Sequence, residues 1–412
     1  MGSYTFPEDF YWGAATASYQ VEGYNENTDW AQAAKAGRVP PAGRLADHYH
    51  RYEADFDIAT ELGHNAHRFS VEWARLEPRE GEWNEAEFDH YRAVLQALRA
   101  RGIEPFITCW HFTLPIWVAE QGGFTNPTMV DVFARYCTKV VEELGADCRF
   151  FSTINEPNVY ATHGYLYGSW PPFKRLRIGW KKIGKEDGTS DRAKPVARFR
   201  HAFTYLRVAK NLTRAHKAAY VGMKAANPDI DVSIVKHVHY FHANDAWHNK
   251  LKARVMSYLQ TVRFLKRIES HLDSIGLNYY RSTKFGDNKN YFRSDMDWKL
   301  HPSGIYGALK LLKRFNKPVF ISEAGIADED DDVRADYIKV QIMATAKAMQ
   351  EGVDVRGHLY WSLMDNYEWA LGTQKRFGLV AIDYATLERT IRPSALKYRD
   401  IIEKGTVEVL TE

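Results

Sequence analysis

Short apolar or β-branched runs recur from one end of this chain to the other. They stand at 10–17, 66–73, 104–109, 150–155, 232–239, 274–279, 318–323 and 357–361. Amphipathic helical patterns lie between most of them, for example at 88–101, 130–144, 199–226, 335–350 and 394–403. Runs of this kind suit strands buried on both faces, and the helices between them suit parallel crossovers. Eight such units predict an α/β chain closed as a single (β/α)8 TIM barrel over 1–412, with its catalytic site at the C-terminal rim of the strands. No linker, low-complexity tract or second domain interrupts the pattern.

A length of 412 residues suits one large barrel as well as two or three average domains, so the periodicity decides for the barrel. The 55 basic and 52 acidic residues leave a net charge of +3, which gives no case for nucleic acid or an anionic membrane as partner. Three cysteines, Cys109, Cys137 and Cys148, are too few and too odd for a disulfide framework and fit a reducing compartment. The N-terminus has no basic region followed by an apolar core, and no apolar run is long enough to span a bilayer. A cytoplasmic protein is the expectation. The 12 Trp and 24 Tyr admit two readings, a large aromatic core or rings that line a sugar site.

Two stretches break the rhythm. The segment 174–194 is basic, with Gly179, Gly184 and Gly188, and reads as a long surface loop. The segment 287–297 is polar and follows the sixth strand. Both can be specificity loops or solvated connections.

Polar residues fall where the strands end. The second strand carries Arg68, the third runs into His111, and the fourth ends Asn155-Glu156-Pro157. The sixth ends Asn278-Tyr279-Tyr280, the seventh Ser322-Glu323, and the eighth Tyr360-Trp361-Ser362. In a barrel these residues converge on one rim. Glu156 and Glu323, on the fourth and seventh strands, can face each other across its mouth. Opposed carboxylates are what glycosidic cleavage needs: one protonates the leaving oxygen, and the other meets the positive charge at the anomeric carbon.

These segments resemble glycoside hydrolase family 1, the β-glucosidase and β-galactosidase family. The resemblance runs nearly the whole chain. It begins at Trp12-Gly13-Ala14-Ala15-Thr16-Ala17-Ser18-Tyr19-Gln20-Val21-Glu22-Gly23 and continues through Arg68-Phe69-Ser70, His111, Asn155-Glu156-Pro157, Gly164-Tyr165 and Asn278-Tyr279-Tyr280. It closes with Glu323, the run Trp361-Ser362-Leu363-Met364-Asp365-Asn366-Tyr367-Glu368-Trp369, and Arg376-Phe377-Gly378. The resemblance implies a retaining β-glycosidase acting on a small β-glycoside or oligosaccharide, most readily a β-glucoside, with β-galactosides and β-fucosides as further candidates. It implies Glu156 as acid/base and Glu323 as nucleophile. Arg68, Asn278 and Tyr280 match groups that tune the nucleophile. Gln20, His111, Asn155, Glu368, Trp369 and Phe377 match substrate-binding positions, and Trp361 matches the platform under the sugar. No cofactor and no metal is implied.

Physical logic runs parallel to the resemblance. A nucleophile must stay ionised, and Arg68 and Tyr280 supply a cation and a donor. The acid must hold its proton near neutral pH, which burial and a neighbouring negative charge both favour. Glu368 would repel a phosphate, which predicts an unphosphorylated sugar.

The chain departs from the family pattern in places. Phe112 stands where Trp is common, Ala324 follows the nucleophile where Asn is usual, and 244–272 looks shortened and recast. His237, His239 and His242 alternate on a strand without an acidic partner, which reads as structural rather than metal-binding. Asn211-Leu212-Thr213 fits a glycosylation acceptor but falls in a helical pattern. A catalytically idle sugar-binding barrel and a transglycosylase are the alternative functions. Oligomeric state cannot be read from the sequence.

Overall fold

The computed structural model describes residues 2–174, 195–286 and 292–409. Eight parallel strands close a barrel in chain order. They are β1 (Tyr11–Ala15), β2 (Ala66–Ser70), β3 (Glu104–Trp110) and β4 (Phe150–Asn155), then β5 (Asp231–His237), β6 (Ser274–Tyr279), β7 (Val319–Ala324) and β8 (Val355–Trp361). Each coincides with one of the eight apolar runs of the sequence. The expected basic loop lies outside the described residues from 175 to 194, and the polar stretch 287–297 is described only from 292 onward.

The helical layer is α1 (His48–Glu61), α2 (Glu85–Ala100), α3 (Met129–Leu144) and α4 (Pro195–Ala226), then α5 (Trp247–Ser257), α6 (Ile305–Leu312), α7 (Arg334–Gln350) and α8 (Pro393–Lys404). α3 shows why these segments are helical. Phe133, Cys137, Val140, Val141 and Leu144 recur at spacings of three and four, and all are buried against the barrel. All three cysteines are buried free thiols. Among the described residues no helix is long and apolar enough to cross a membrane.

Aromatic rings plug the N-terminal end of the barrel. Phe106, Phe150 and Phe320 pack with Ala66, Leu359 and the half-buried Tyr11. The rings of Phe106 and Phe150 stack with centroids 4.3 Å apart, and Phe320 meets Phe150 edge-on at 5.3 Å. Gly13 permits the tight closure of β1 on β2, because a Cβ there would sit 1.8 Å from the Ala66 carbonyl oxygen. With one end filled, chemistry is left to the other.

Register slips shape that other end. β4 slips against β5 between Ser152 and Asn155. β7 slips against β6 between Ile321 and Glu323. Such irregularities re-aim side chains at strand ends, and these two sit at the two glutamates singled out in the sequence.

Phe150→Ala should destabilise the fold by about 3 kcal/mol or more, since it opens a cavity in the plug. Urea unfolding monitored by circular dichroism checks this; an unchanged midpoint would show that the plug does not hold the barrel.

Candidate active site

Polar residues from most strand ends meet in one cavity of about 310 Å³ at the C-terminal mouth. Glu156 and Glu323 line it, as do Asn155, Tyr280, Trp361 and Phe377. Gln20, from the short helix Ser18–Val21 after β1, His111, after β3, and Glu368 with Trp369, after β8, complete the wall. Arg68 and Asn278 are buried behind it.

Glu323 is held on both oxygens. Arg68 Nη1 donates to Oε1 at 2.5 Å, and the Tyr280 hydroxyl donates to Oε2 at 2.6 Å. The ion pair is almost wholly out of solvent, where an unpaired charge would be very costly. Burial and the Glu323 charge push the Tyr280 phenol up, so it stays a neutral donor. Arg68 is itself fixed, donating from Nε to Thr108 Oγ1 and from Nη2 to Asn155 Oδ1, each at 2.9 Å.

Glu156 stands in a different field. It is buried in the left-handed backbone region at φ 44°, and its Oε1 accepts from Asn278 Nδ2 at 2.9 Å. Burial and then the charge of Glu323 push its carboxyl up to about 8, against the smaller opposing pull of the Asn278 hydrogen bond. The sequence expectation for Asn278 is corrected here: it bonds Glu156, not Glu323. Its amide also reaches Asn155 Oδ1 at 3.3 Å, and its own oxygen accepts from Ser322 Oγ at 2.9 Å. The slip in β7 puts Glu323, rather than Ser322, opposite Asn278 in register, yet the Asn278 amide turns to Glu156. A continuous path therefore runs Glu323–Arg68–Asn155–Asn278–Glu156.

The opposite wall offers open hydrogen-bonding capacity. Gln20 donates from Nε2 to Asn366 Oδ1 and Tyr367 O, while its Oε1 is buried with no partner among the described residues. His111 Nε2 accepts from Asn155 Nδ2 at 3.2 Å, which leaves its proton on Nδ1, likewise buried and unpartnered. Burial and Arg68 hold that imidazole neutral, well below its ordinary range. Glu368 is half-buried, and burial followed by Glu323 raises its carboxyl to about 8. A sugar hydroxyl, both donor and acceptor, can satisfy all three groups.

Trp361 and Trp369 flank the His111 ring in near-parallel planes, with centroids 5.8 and 6.0 Å away. Phe377 packs beside Trp361 and meets Tyr280 edge-on. The loop that carries Glu368 is clamped by a buried ion pair, Arg392 to both oxygens of Asp365 at 3.0 Å, and by Gly378 N donating to Asp365 at 2.9 Å. Phe112, at the expected tryptophan position, packs on Trp369 and Trp170 instead of donating.

The sequence profile of glycosyl hydrolase family 1 matches residues 3–285 and 256–406. The chain belongs to glycosyl hydrolase family 1. Within the family it is 31% identical to Beta-glucosidase A of Thermotoga maritima, over 98% of this chain and 99% of that protein. The structure of the beta-glycosidase from Pyrococcus horikoshii superposes with a TM-score of 0.86 at 34% identity, covering 99% of this chain and 97% of that one. The Thermotoga maritima beta-glucosidase in complex with methoxycarbonyl-substituted glucoimidazole superposes with the same TM-score of 0.86 at 30% identity, covering 98% and 100%.

Sequence reasoning missed several cavity residues of this family member. His237 lines the cavity rather than serving only the scaffold, and so do Arg281, Met296 and Trp298. The Arg281 guanidinium lies over the Trp298 ring at 5.1 Å. Among the described residues no cluster of three metal-ligating side chains occurs. Lys236 was also missed. It is fully buried, its Nζ donates to His237 O at 2.7 Å, and burial pushes its ammonium down to about 7 while Glu156 pulls it back up. Asn211 is buried and bonded to Phe124 O, which removes it as a glycosylation acceptor.

In Glu323→Gln the negative charge next to Glu156 is gone, so the Glu156 carboxyl should titrate lower than in the wild type, yet still above an exposed glutamate because burial persists. Carbon-13 NMR of glutamate-labelled protein reads this. An unchanged or higher titration would show that the two carboxyls are not coupled.

Proposed function

We propose that the chain is a retaining β-glycosidase that acts best on unphosphorylated β-glucosides, with Glu323 as nucleophile and Glu156 as acid/base, and that 1–412 works as one catalytic barrel. One observation carries this reading. Two buried glutamates share a cavity, one gripped by Arg68 and Tyr280, the other pushed up to about 8. That contrast assigns opposite tasks to the same side chain type.

In the first step Glu156 passes its proton to the glycosidic oxygen while Glu323 attacks the anomeric carbon and the aglycone leaves. The resulting ester removes the charge on Glu323. Glu156 then loses one of the two causes that keep it protonated, and it takes a proton from water as that water displaces Glu323. Inversion twice gives net retention. Arg68 and Tyr280 hold Glu323 in place before attack and receive it as the leaving carboxylate afterwards.

The glycone assignment rests on Gln20, His111 and Glu368, whose unfilled capacity matches neighbouring sugar hydroxyls, and on the glucoimidazole bound by the Thermotoga maritima relative. Glu368 offers a phosphorylated sugar no cation to pair with, and any ionised fraction of its carboxyl would repel the phosphate. The buried thiols of Cys109, Cys137 and Cys148 support a cytoplasmic setting.

Glu323→Ala should lose essentially all turnover of nitrophenyl β-glucoside, and added azide should restore it with the α-glycosyl azide as product. A β-azide, or rescue absent in Glu323→Ala but present in Glu156→Ala with an α-product, would reverse the roles. Paired kinetics on nitrophenyl glucoside and its 6-phosphate should favour the unphosphorylated substrate by roughly a hundred-fold in kcat/KM, about 2–3 kcal/mol of discrimination; a preference for the phosphate would overturn the role given to Glu368.

A further inference from the structure

α5 is turned inside out. A surface helix normally buries its apolar stripe and exposes its polar one. Here Asn249, Ala253 and Ser257, spaced by four, face the protein and are buried. Trp247, Leu251 and Val255 occupy the other side and are 75%, 51% and 46% exposed. The π turn Tyr258–Val262 that continues the helix extends the same arrangement. Its Tyr258 and Leu259 are 48% and 49% exposed, while Thr261 is buried. Five large apolar side chains thus form one strip on the outer face, in the recast region of the chain.

The charges beside the strip select what covers it. Between residues 247 and 268 there are six basic residues, Lys250, Lys252, Arg254, Arg263, Lys266 and Arg267, and no acidic one. At 100° per residue, Lys252 falls on one flank of the strip and Lys250 and Arg254 on the other. All three are exposed, and Lys250 alone of these three pairs with a nearby carboxylate, Asp245 at 3.0 Å. A second copy of the chain docking on this face would bring two such cationic arrays together, which like-charge repulsion opposes. An anionic lipid surface meets both features, since it accepts the apolar strip at the acyl boundary and pairs the flanking cations with headgroups.

We propose that α5 and its π-turn extension form an interfacial helix that docks the protein on anionic lipid bilayers. The net charge of +3 hides this, because acidic residues elsewhere cancel the local array. The proposal is independent of the catalytic reading, as none of these side chains lines the cavity.

The test is flotation of the full chain with two sets of vesicles, phosphatidylcholine alone and phosphatidylcholine with phosphatidylglycerol. The protein should float with the anionic vesicles, and less so as salt rises. Trp247→Ser combined with Leu251→Ser should weaken partitioning roughly ten-fold or more, and so should Lys252→Glu combined with Arg254→Glu. Turnover of a soluble nitrophenyl β-glycoside serves as the folding control and should be unchanged in both variants. Equal behaviour with the two vesicle types, or unaltered partitioning of both variants, would overturn the proposal. So would a dimer by analytical ultracentrifugation that the Trp247→Ser, Leu251→Ser variant converts to monomer, since the strip would then be covered by a second copy.

Discussion

The site depends on placing two carboxyl groups in one buried cavity while only one of them is charged. Two anions at this depth would repel strongly, and each would carry a large desolvation cost. The structure resolves the conflict by giving Glu323 the buried cation of Arg68 and the Tyr280 donor in direct contact, and by giving Glu156 the neutral amide of Asn278 as its hydrogen-bond donor. The asymmetry is connected as well as local. Asn155 Oδ1 accepts from both Arg68 and Asn278, so the group that fixes the cation also fixes the amide. The register slips of β4 and β7 serve the same end, since each turns a glutamate-bearing strand end at the point where the carboxyl must enter the mouth.

The walls follow from that pair. Gln20, His111 and Glu368 are neutral or raised in their proton affinity, so these sugar-facing groups add little further charge beside the glutamates. His111 is held neutral and Gln20 is an amide. Glu368 is itself drawn upward by burial and by Glu323. The aromatic floor of Trp361 and Phe377 excludes water and strengthens every electrostatic term in the cavity. The clamp of Asp365 by Arg392 is remote from the chemistry, yet it sets where the Glu368 loop returns to the mouth.

Most of the barrel was legible in the sequence because its strands are buried on both faces, so that each reads as a compact apolar run bounded by helical periodicity. The rim residues were legible because a polar side chain at the end of such a run has no place in a core. Asn278 was assigned to the wrong glutamate for a physical reason. Strand alternation predicts which face a residue takes, but not which of two carboxyls at the mouth its side chain reaches, and Asn278 bonds Glu156 although Glu323 stands opposite it in register. His237 was set aside because alternating histidines look like scaffold, and only the geometry brings one of them to the cavity wall. The inverted face of α5 was invisible for a deeper reason. An apolar residue at every fourth position has the same period whether that face turns toward the barrel or away from it.

In the proposed mechanism Glu323 carries the sugar between the two steps. Incubation with an aryl 2-deoxy-2-fluoro-β-glucoside slows both steps but the second more, so an intermediate should accumulate. Peptide mass spectrometry should then find one fluoroglucosyl ester, on Glu323, absent from Glu323→Gln. An ester on Glu156 or another residue, or continued turnover with no adduct at all, would contradict the account.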